Sequence, residues 1–89
     1  IDVVGLTDQG TLVAGEVKFT NQPVDYSVLS QLKEESKQVD WTPPGGGEPD
    51  YEYVLFSRNG FKQSVQEAAA EEESLRLCTL AECVDILEG

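Results

Sequence analysis

Two carboxylates and a lysine near the start of the chain have the types and spacing needed for phosphodiester chemistry. Asp2 lies in one short apolar run, while Glu16 and Lys18 lie in the next run, separated by a single valine. Carboxylate oxygens suit Mg²⁺ or Mn²⁺, with waters completing an octahedron. Such an ion can polarise a phosphodiester and bind the attacking water, and an ammonium group beside it can orient that water or stabilise charge on the phosphate. Asp2, Glu16 and Lys18 are therefore the candidate catalytic residues, and Asp2 and Glu16 are the candidate metal ligands.

The predicted hairpin that carries these residues brings the two acids together. Residues 1–7 and 11–20 are β runs rich in Val, Leu and Thr, and the three residues between them fit a type I turn closed by Gly10 in the left-handed conformation. A three-residue loop determines which positions of the two strands lie opposite each other, and in that register Asp2 faces Glu16. A two-residue loop would place the acids on opposite faces of the sheet. The turn chemistry therefore predicts a direct cross-strand acid pair.

The same three residues also fit a plain solvated sheet face. Glu16 and Lys18 project from one face because successive side chains of a strand alternate. Exposed on that face, they would form a surface ion pair worth about 0–1 kcal/mol. Directly opposed like charges cost up to about 1 kcal/mol, so a functional pair needs a cation between its members. Both interpretations remain open at the level of the residues.

The rest of the chain alternates helices and strands. Asp25 is a good N-cap, and Val24 and Leu29 occupy hydrophobic-staple positions. The first helix continues to about Val39, with Lys33, Glu34 and Lys37 on its outer side. A loop over Asp40–Asp50 leads to a strand, Tyr51–Ser57, that is expected to be buried on both faces. The remaining predicted elements are a helix Phe61–Glu72, a strand Leu75–Cys78, and a helix from the capping box at Thr79 through Leu87. The order ββαβαβα predicts an α/β fold whose mixed sheet has an antiparallel hairpin, then parallel strands with flanking helices.

Four further polar residues are weaker candidates for a site. Gln31 and Ser27 lie one turn apart on the first helix and could approach the hairpin acids. Arg58 and Lys62 border the turn after the third strand, where a phosphate contact is conceivable. Exposed helix and turn positions are the favoured interpretation for all four, and Gln31 and Arg58 are retained as possible accessory residues.

Charge and composition limit the function classes. Seventeen acids against six bases give a net charge of −11, which argues against a free-standing nucleic-acid binder. The acids are spread along the chain, which suits a halophilic protein, because repulsion is screened within about 3 Å at 1 M salt. A hydrophobic fraction of 39% predicts one globular domain over 1–89. No apolar run approaches the roughly 20 residues that span a bilayer.

The cysteines indicate no metal or disulfide framework. Cys78 and Cys83 are the two cysteines, and the chain contains no histidine. A zinc site needs more ligands and a disulfide scaffold needs more pairs. We expect reduced, partly buried thiols.

The hairpin resembles the PD-(D/E)XK nuclease superfamily, which has the restriction-endonuclease-like fold. The resemblance is carried by Ile1-Asp2-Val3-Val4 and, after the turn, by Val13-Ala14-Gly15-Glu16-Val17-Lys18-Phe19. It implies that Asp2 and Glu16 bind Mg²⁺ or Mn²⁺, that Lys18 is the catalytic lysine and that DNA is the substrate. With Ser57-Arg58-Asn59-Gly60-Phe61, the chain more narrowly resembles the C-terminal domain of archaeal ATPases. That resemblance implies a cytoplasmic nuclease-like module attached to a P-loop ATPase domain in the same parent chain.

Two departures from the superfamily pattern qualify these expectations. A further acid usually comes from an upstream helix, which would precede Ile1, and Ile1 occupies a position that is often Pro. We therefore expect a fragment that lacks its N-terminal helix and strand. The expected function is Mg²⁺-dependent DNA phosphodiester hydrolysis; the alternative is a catalytically silent module that regulates or oligomerises the ATPase.

Overall fold

The computed structural model describes residues 1–79. Its elements are β1 (Val3–Leu6), β2 (Thr11–Lys18), α1 (Tyr26–Lys37), β3 (Asp50–Ser57), α2 (Gln63–Glu71) and β4 (Leu75–Thr79). The helix predicted from the capping box through Leu87, and Cys83 within it, lie outside the described residues. Every other predicted element is present with shifted ends, and the first two strands are shorter than their apolar runs.

The sheet is mixed, as the element order predicts. Its strand order is β1-β2-β3-β4, with β1 antiparallel to β2 and the remaining neighbours parallel. α1 connects β2 to β3 and packs on both strands, while α2 packs on β4 and on α1. Both helices therefore cover the same face of the sheet, and none of the described helices is long and apolar enough to cross a membrane.

The predicted hairpin register is confirmed. Leu6 pairs with Leu12 and Val4 pairs with Ala14, which is the register that a three-residue loop imposes. Gly10 closes the turn with φ 88°, a left-handed value that favours glycine, and the Thr7 amide donates to the Thr11 carbonyl at 3.0 Å. In this register, paired residues of β1 and β2 project their side chains from the same face of the sheet along the whole hairpin.

The hydrophobic core lies between the sheet and the two helices. Leu12 and Ala14 of β2 face Leu29 and Leu32 of α1, and all four are buried. α1 begins as predicted, because the Asp25 carboxylate accepts a hydrogen bond of 2.6 Å from the Ser27 amide. The other buried apolar residues are Val24, Tyr53, Leu55, Val65 and Leu75.

Two sequence expectations need correction. Tyr51–Ser57 was expected to be buried on both faces, yet only its helix-facing side chains are buried, and Val54 and Phe56 are half-buried because α1 and α2 lie on the other face. Lys33 was expected to lie outside α1. It is half-buried and donates to Glu72 at 2.6 Å, which links α1 to the end of α2.

Edge strand β1 presents apolar side chains to solvent. Val3, Val4 and Leu6 retain 53%, 44% and 51% of their accessible surface. The described helices do not cover β1, since α1 contacts β2 and β3. Among the described strands β1 pairs only with β2, and an apolar edge of this kind is a template for pairing with another segment.

Replacing Gly10 tests how much the hairpin turn contributes to stability. Gly10→Ala places a Cβ at positive φ and 3.3 Å from the Pro43 side chain, so we expect unfolding free energy to fall by about 1–2 kcal/mol. Gly46→Ala is the matched control, because Gly46 has a similar φ of 84° and no atom within 4 Å of an added Cβ. Urea denaturation at high KCl measures both variants. Equal losses would show that the hairpin turn has no special role.

Candidate functional site

The candidate site lies where the core-facing side of β2 becomes polar. Leu12 and Ala14 occupy the buried half of that side, and Glu16 and Lys18 continue it to the end of the strand. The Glu16 side chain retains only 16% of its accessible surface, and Lys18 is also half-buried. An acid and a base are therefore held at the edge of the core.

Asp2 is anchored beside them by two hydrogen bonds to β2. Its amide donates to the Gly15 carbonyl at 2.9 Å, and its Oδ2 accepts from the Val17 amide at 2.8 Å. The carboxylate thus replaces a backbone acceptor just beyond the last paired residue of β1. The side chains of Asp2 and Glu16 each act on the pKa of the other, so the predicted cross-strand neighbours lie close together.

The pKa values of the two carboxyl groups are shifted in opposite directions. The Val17 amide, followed by the hydrogen bond with Glu16, holds the pKa of Asp2 below its usual value. Burial, followed by the hydrogen bond with Asp2, raises the pKa of Glu16. The Lys18 charge acts to lower both pKa values, which places its ammonium within electrostatic reach of both acids. Asp2 therefore remains ionised while Glu16 favours a proton or another cation between the two groups.

Glu35 of α1 is a third acid at this position, and our sequence analysis missed it. The backbone nitrogen of Ile1 lies 2.8 Å from Glu35 Oε2 and 3.5 Å from Glu16 Oε1, so these acids of α1 and β2 approach the same atom. Gln31 donates to Glu35 Oε1 at 3.2 Å. The helical spacing from Gln31 to Glu35 was the available signal.

The carboxylates fit Mg²⁺ with a small protein ligand set. Within residues 1–79, no group of three or more His, Cys, Asp or Glu side chains is arranged to hold a metal ion. Mg²⁺ usually keeps several waters and binds proteins through one or two carboxylates. Asp2 and Glu16 supply that number of carboxylates, with Lys18 beside them.

The accessory candidates have different positions. Gln31 contacts Glu35 and so borders the site, and Ser27 lines a cavity that Lys18 also lines. The Arg58 amide donates to the Lys18 carbonyl at 3.1 Å, but the Arg58 side chain is exposed. Lys62 approaches Asp25 at 3.9 Å in an exposed ion pair.

Comparisons with known proteins identify no family for the chain. No family model, curated protein or solved structure matches the chain. The nuclease interpretation therefore depends on the motif residues and on their geometry.

Neutralising Glu16 should stabilise the fold near neutral pH. Its folded-state pKa is raised, so the ionised form destabilises the folded state above that pKa. We expect Glu16→Gln to increase unfolding free energy by up to about 1 kcal/mol, the size of an opposed like-charge pair. The gain should shrink as pH falls through the folded pKa of Glu16 and should vanish below the unfolded value of about 4.3.

Glu34→Gln is the matched control, because Glu34 is exposed on α1 and loses the same charge. Urea titrations across this pH range at fixed KCl make the comparison. A loss of stability in Glu16→Gln at neutral pH would contradict the electrostatic account.

Proposed function

We propose that the chain is a restriction-endonuclease-like domain that hydrolyses DNA phosphodiesters with Mg²⁺ or Mn²⁺, in a cytoplasmic protein that also contains an ATPase domain. The observation that carries the proposal is the meeting of Asp2 and Glu16 beside Lys18, at the edge of the core. The ββαβαβ order of the described residues is compatible with such a domain. The ATPase partner and the cytoplasmic location rest on the resemblance alone.

The burial of Glu16 favours a site over a solvated surface. A surface ion pair would leave its acid exposed, whereas Glu16 is largely covered and lies against another carboxylate. Such an arrangement is unfavourable by itself, by up to about 1 kcal/mol for opposed like charges.

Different residues of the chain have different roles in the proposed reaction. Asp2 and Glu16 would hold the ion, and Glu35 adds negative charge from α1. The bound ion would supply Lewis-acid polarisation of the phosphodiester and a more acidic water. Lys18 orients that water or stabilises negative charge on the phosphate. The Val17 amide keeps the Asp2 carboxylate fixed and ionised.

Proton and metal ion compete for the same pair of acids. Because the pKa of Glu16 is raised, protonation of Glu16 removes a ligand at a higher pH than for an ordinary glutamate. Metal affinity and cleavage should therefore decline as pH falls through that raised pKa. A pH–rate profile in Mg²⁺ measures this effect.

Cleavage assays on Glu16 and Lys18 variants test the proposal. In the longest natural chain that contains this sequence, at high KCl with Mg²⁺ or Mn²⁺, we expect Glu16→Ala and Lys18→Ala each to reduce kcat at least about 100-fold. Glu34→Ala and Lys37→Ala are matched controls, because both residues are exposed on α1. Cleavage that survives both site substitutions, or wild-type protein without divalent-ion affinity, would refute the nuclease proposal.

A second candidate function is a silent interaction module, and the exposed edge of β1 favours it. Val3, Val4 and Leu6 form an uncovered apolar edge that could pair with the ATPase domain or with another copy. This candidate predicts that Leu6→Lys disrupts association, measured by sedimentation, and that wild-type protein cleaves no DNA. The nuclease proposal instead predicts metal-dependent cleavage whether or not that edge associates.

A further inference from the structure

The position of Lys18 depends on what fixes the chain where β2 ends. Lys18 is the last residue of β2, and it pairs with Ser57 at the last step of the β2–β3 register. The next side chain along the chain, Phe19, retains 62% of its accessible surface. The backbone after Lys18 therefore needs a further support if the ammonium group is to stay beside the acids of the site.

The turn that follows β3 contacts this backbone directly. The Arg58 amide donates to the Lys18 carbonyl at 3.1 Å, and Asn59 Nδ2 donates to the Thr20 carbonyl. On its other side the strand is held by Asp2, whose carboxylate accepts a hydrogen bond from the amide one residue before Lys18. The end of β2 is therefore held from both of its neighbouring strands.

Two further hydrogen bonds extend this contact to the start of α1. The Val24 amide donates to the Gly60 carbonyl at 3.0 Å, and the Val24 carbonyl accepts from the Lys62 amide at 2.8 Å. Val24 is buried in the core, so the turn is attached to a fixed part of the fold. We refer to residues 57–62 as the β3–α2 turn.

Ser57 closes the β3–α2 turn. It retains 3% of its accessible surface, and its Oγ donates to the Gly60 carbonyl at 2.7 Å and accepts from the Asn59 amide at 3.2 Å. Tyr53 and Leu55 precede it on the same face of β3, and both belong to the hydrophobic core. Burying a hydroxyl costs free energy unless it is hydrogen-bonded, so packing alone favours an apolar residue at this position. The turn that the hydroxyl fixes explains its presence.

We propose that Ser57 is a positioning residue for Lys18: by fixing the β3–α2 turn, it holds the Lys18 backbone so that the ammonium group stays beside Asp2 and Glu16. Arg58, whose amide bonds to the Lys18 carbonyl, lies between the residues that the Ser57 hydroxyl ties together. The inference rests on the proposed nuclease function for the reaction that Lys18 serves. The hold on Lys18 itself does not require cleavage, so the two are tested separately.

NMR of the lysine side chains tests this hold in the longest natural chain that contains the sequence, at high KCl. Ser57→Ala should lower the order parameter of Lys18 Cε. It should also speed hydrogen exchange of the Arg58 amide about ten-fold relative to the β2–β3 ladder, the size expected for one lost hydrogen bond. Ser36→Ala is the matched control, because Ser36 is also buried but its Oγ donates to the Lys33 carbonyl within α1.

Asn59→Ala provides a second variant that does not alter the core. Asn59 is exposed, and its side chain donates to the Thr20 carbonyl, so its replacement releases the chain just beyond Lys18. We expect the same fall in the Lys18 order parameter. An order parameter that neither variant lowers, or that Ser36→Ala lowers equally, would overturn the proposal.

A double-mutant cycle in the cleavage assay tests the role of this hold in the reaction. Ser57→Ala should lower kcat about ten-fold with KM changed by less than about two-fold, and it should have no further effect in the Lys18→Ala background. An equal loss of kcat in both backgrounds would indicate a general structural role and would overturn the positioning role. If Ser57→Ala lowers the Lys18 order parameter while wild type cleaves nothing, the hold on Lys18 stands and the nuclease proposal fails. If wild type cleaves and the order parameter is unchanged, the nuclease proposal stands and the positioning role fails.

Discussion

The hydrogen bond between the Asp2 carboxylate and the Val17 amide is the constraint on which the site depends. At 2.8 Å it ties the end of β1 to the strand that carries Glu16 and Lys18. It also fixes Asp2 in its ionised form, because the amide lowers the pKa of that carboxyl group. Asp2 is exposed and precedes the four-residue edge strand, so this bond and the bond from its own amide to the Gly15 carbonyl hold it against β2. The juxtaposition of two acids and a lysine therefore follows from one local bond and the register below it.

Carboxylates lie close together at the edge of the core, an arrangement that does not by itself stabilise the fold. Glu16 is held against Asp2 at the edge of the core, and Glu35 approaches from α1. Burial raises the pKa of Glu16, so ionisation of both acids together is disfavoured. A cation between the acids would offset that cost.

Local chemistry made the hairpin predictable. Gly10 in the left-handed conformation selects a three-residue loop, and the loop determines which positions face each other. The N-cap at Asp25 was equally local. Glu35 was not predicted because its contact with the site depends on how α1 packs across β2, which neither segment encodes alone. The apolar residues Val54 and Phe56 led us to expect burial on both faces of β3. The sequence pattern did not indicate that both described helices would cover the opposite face.

Paramagnetic NMR with Mn²⁺ tests the central claim most directly, since it locates a bound ion without requiring cleavage. The account predicts that substoichiometric Mn²⁺ broadens the amide signals of Val17, Lys18 and Glu35 first, and that Glu16→Ala abolishes this selectivity. Broadening distributed over exposed acids such as Glu48, Glu52 and Glu67, unchanged by Glu16→Ala, would contradict it. In that case the acids of the hairpin would be a charged surface and not a metal site.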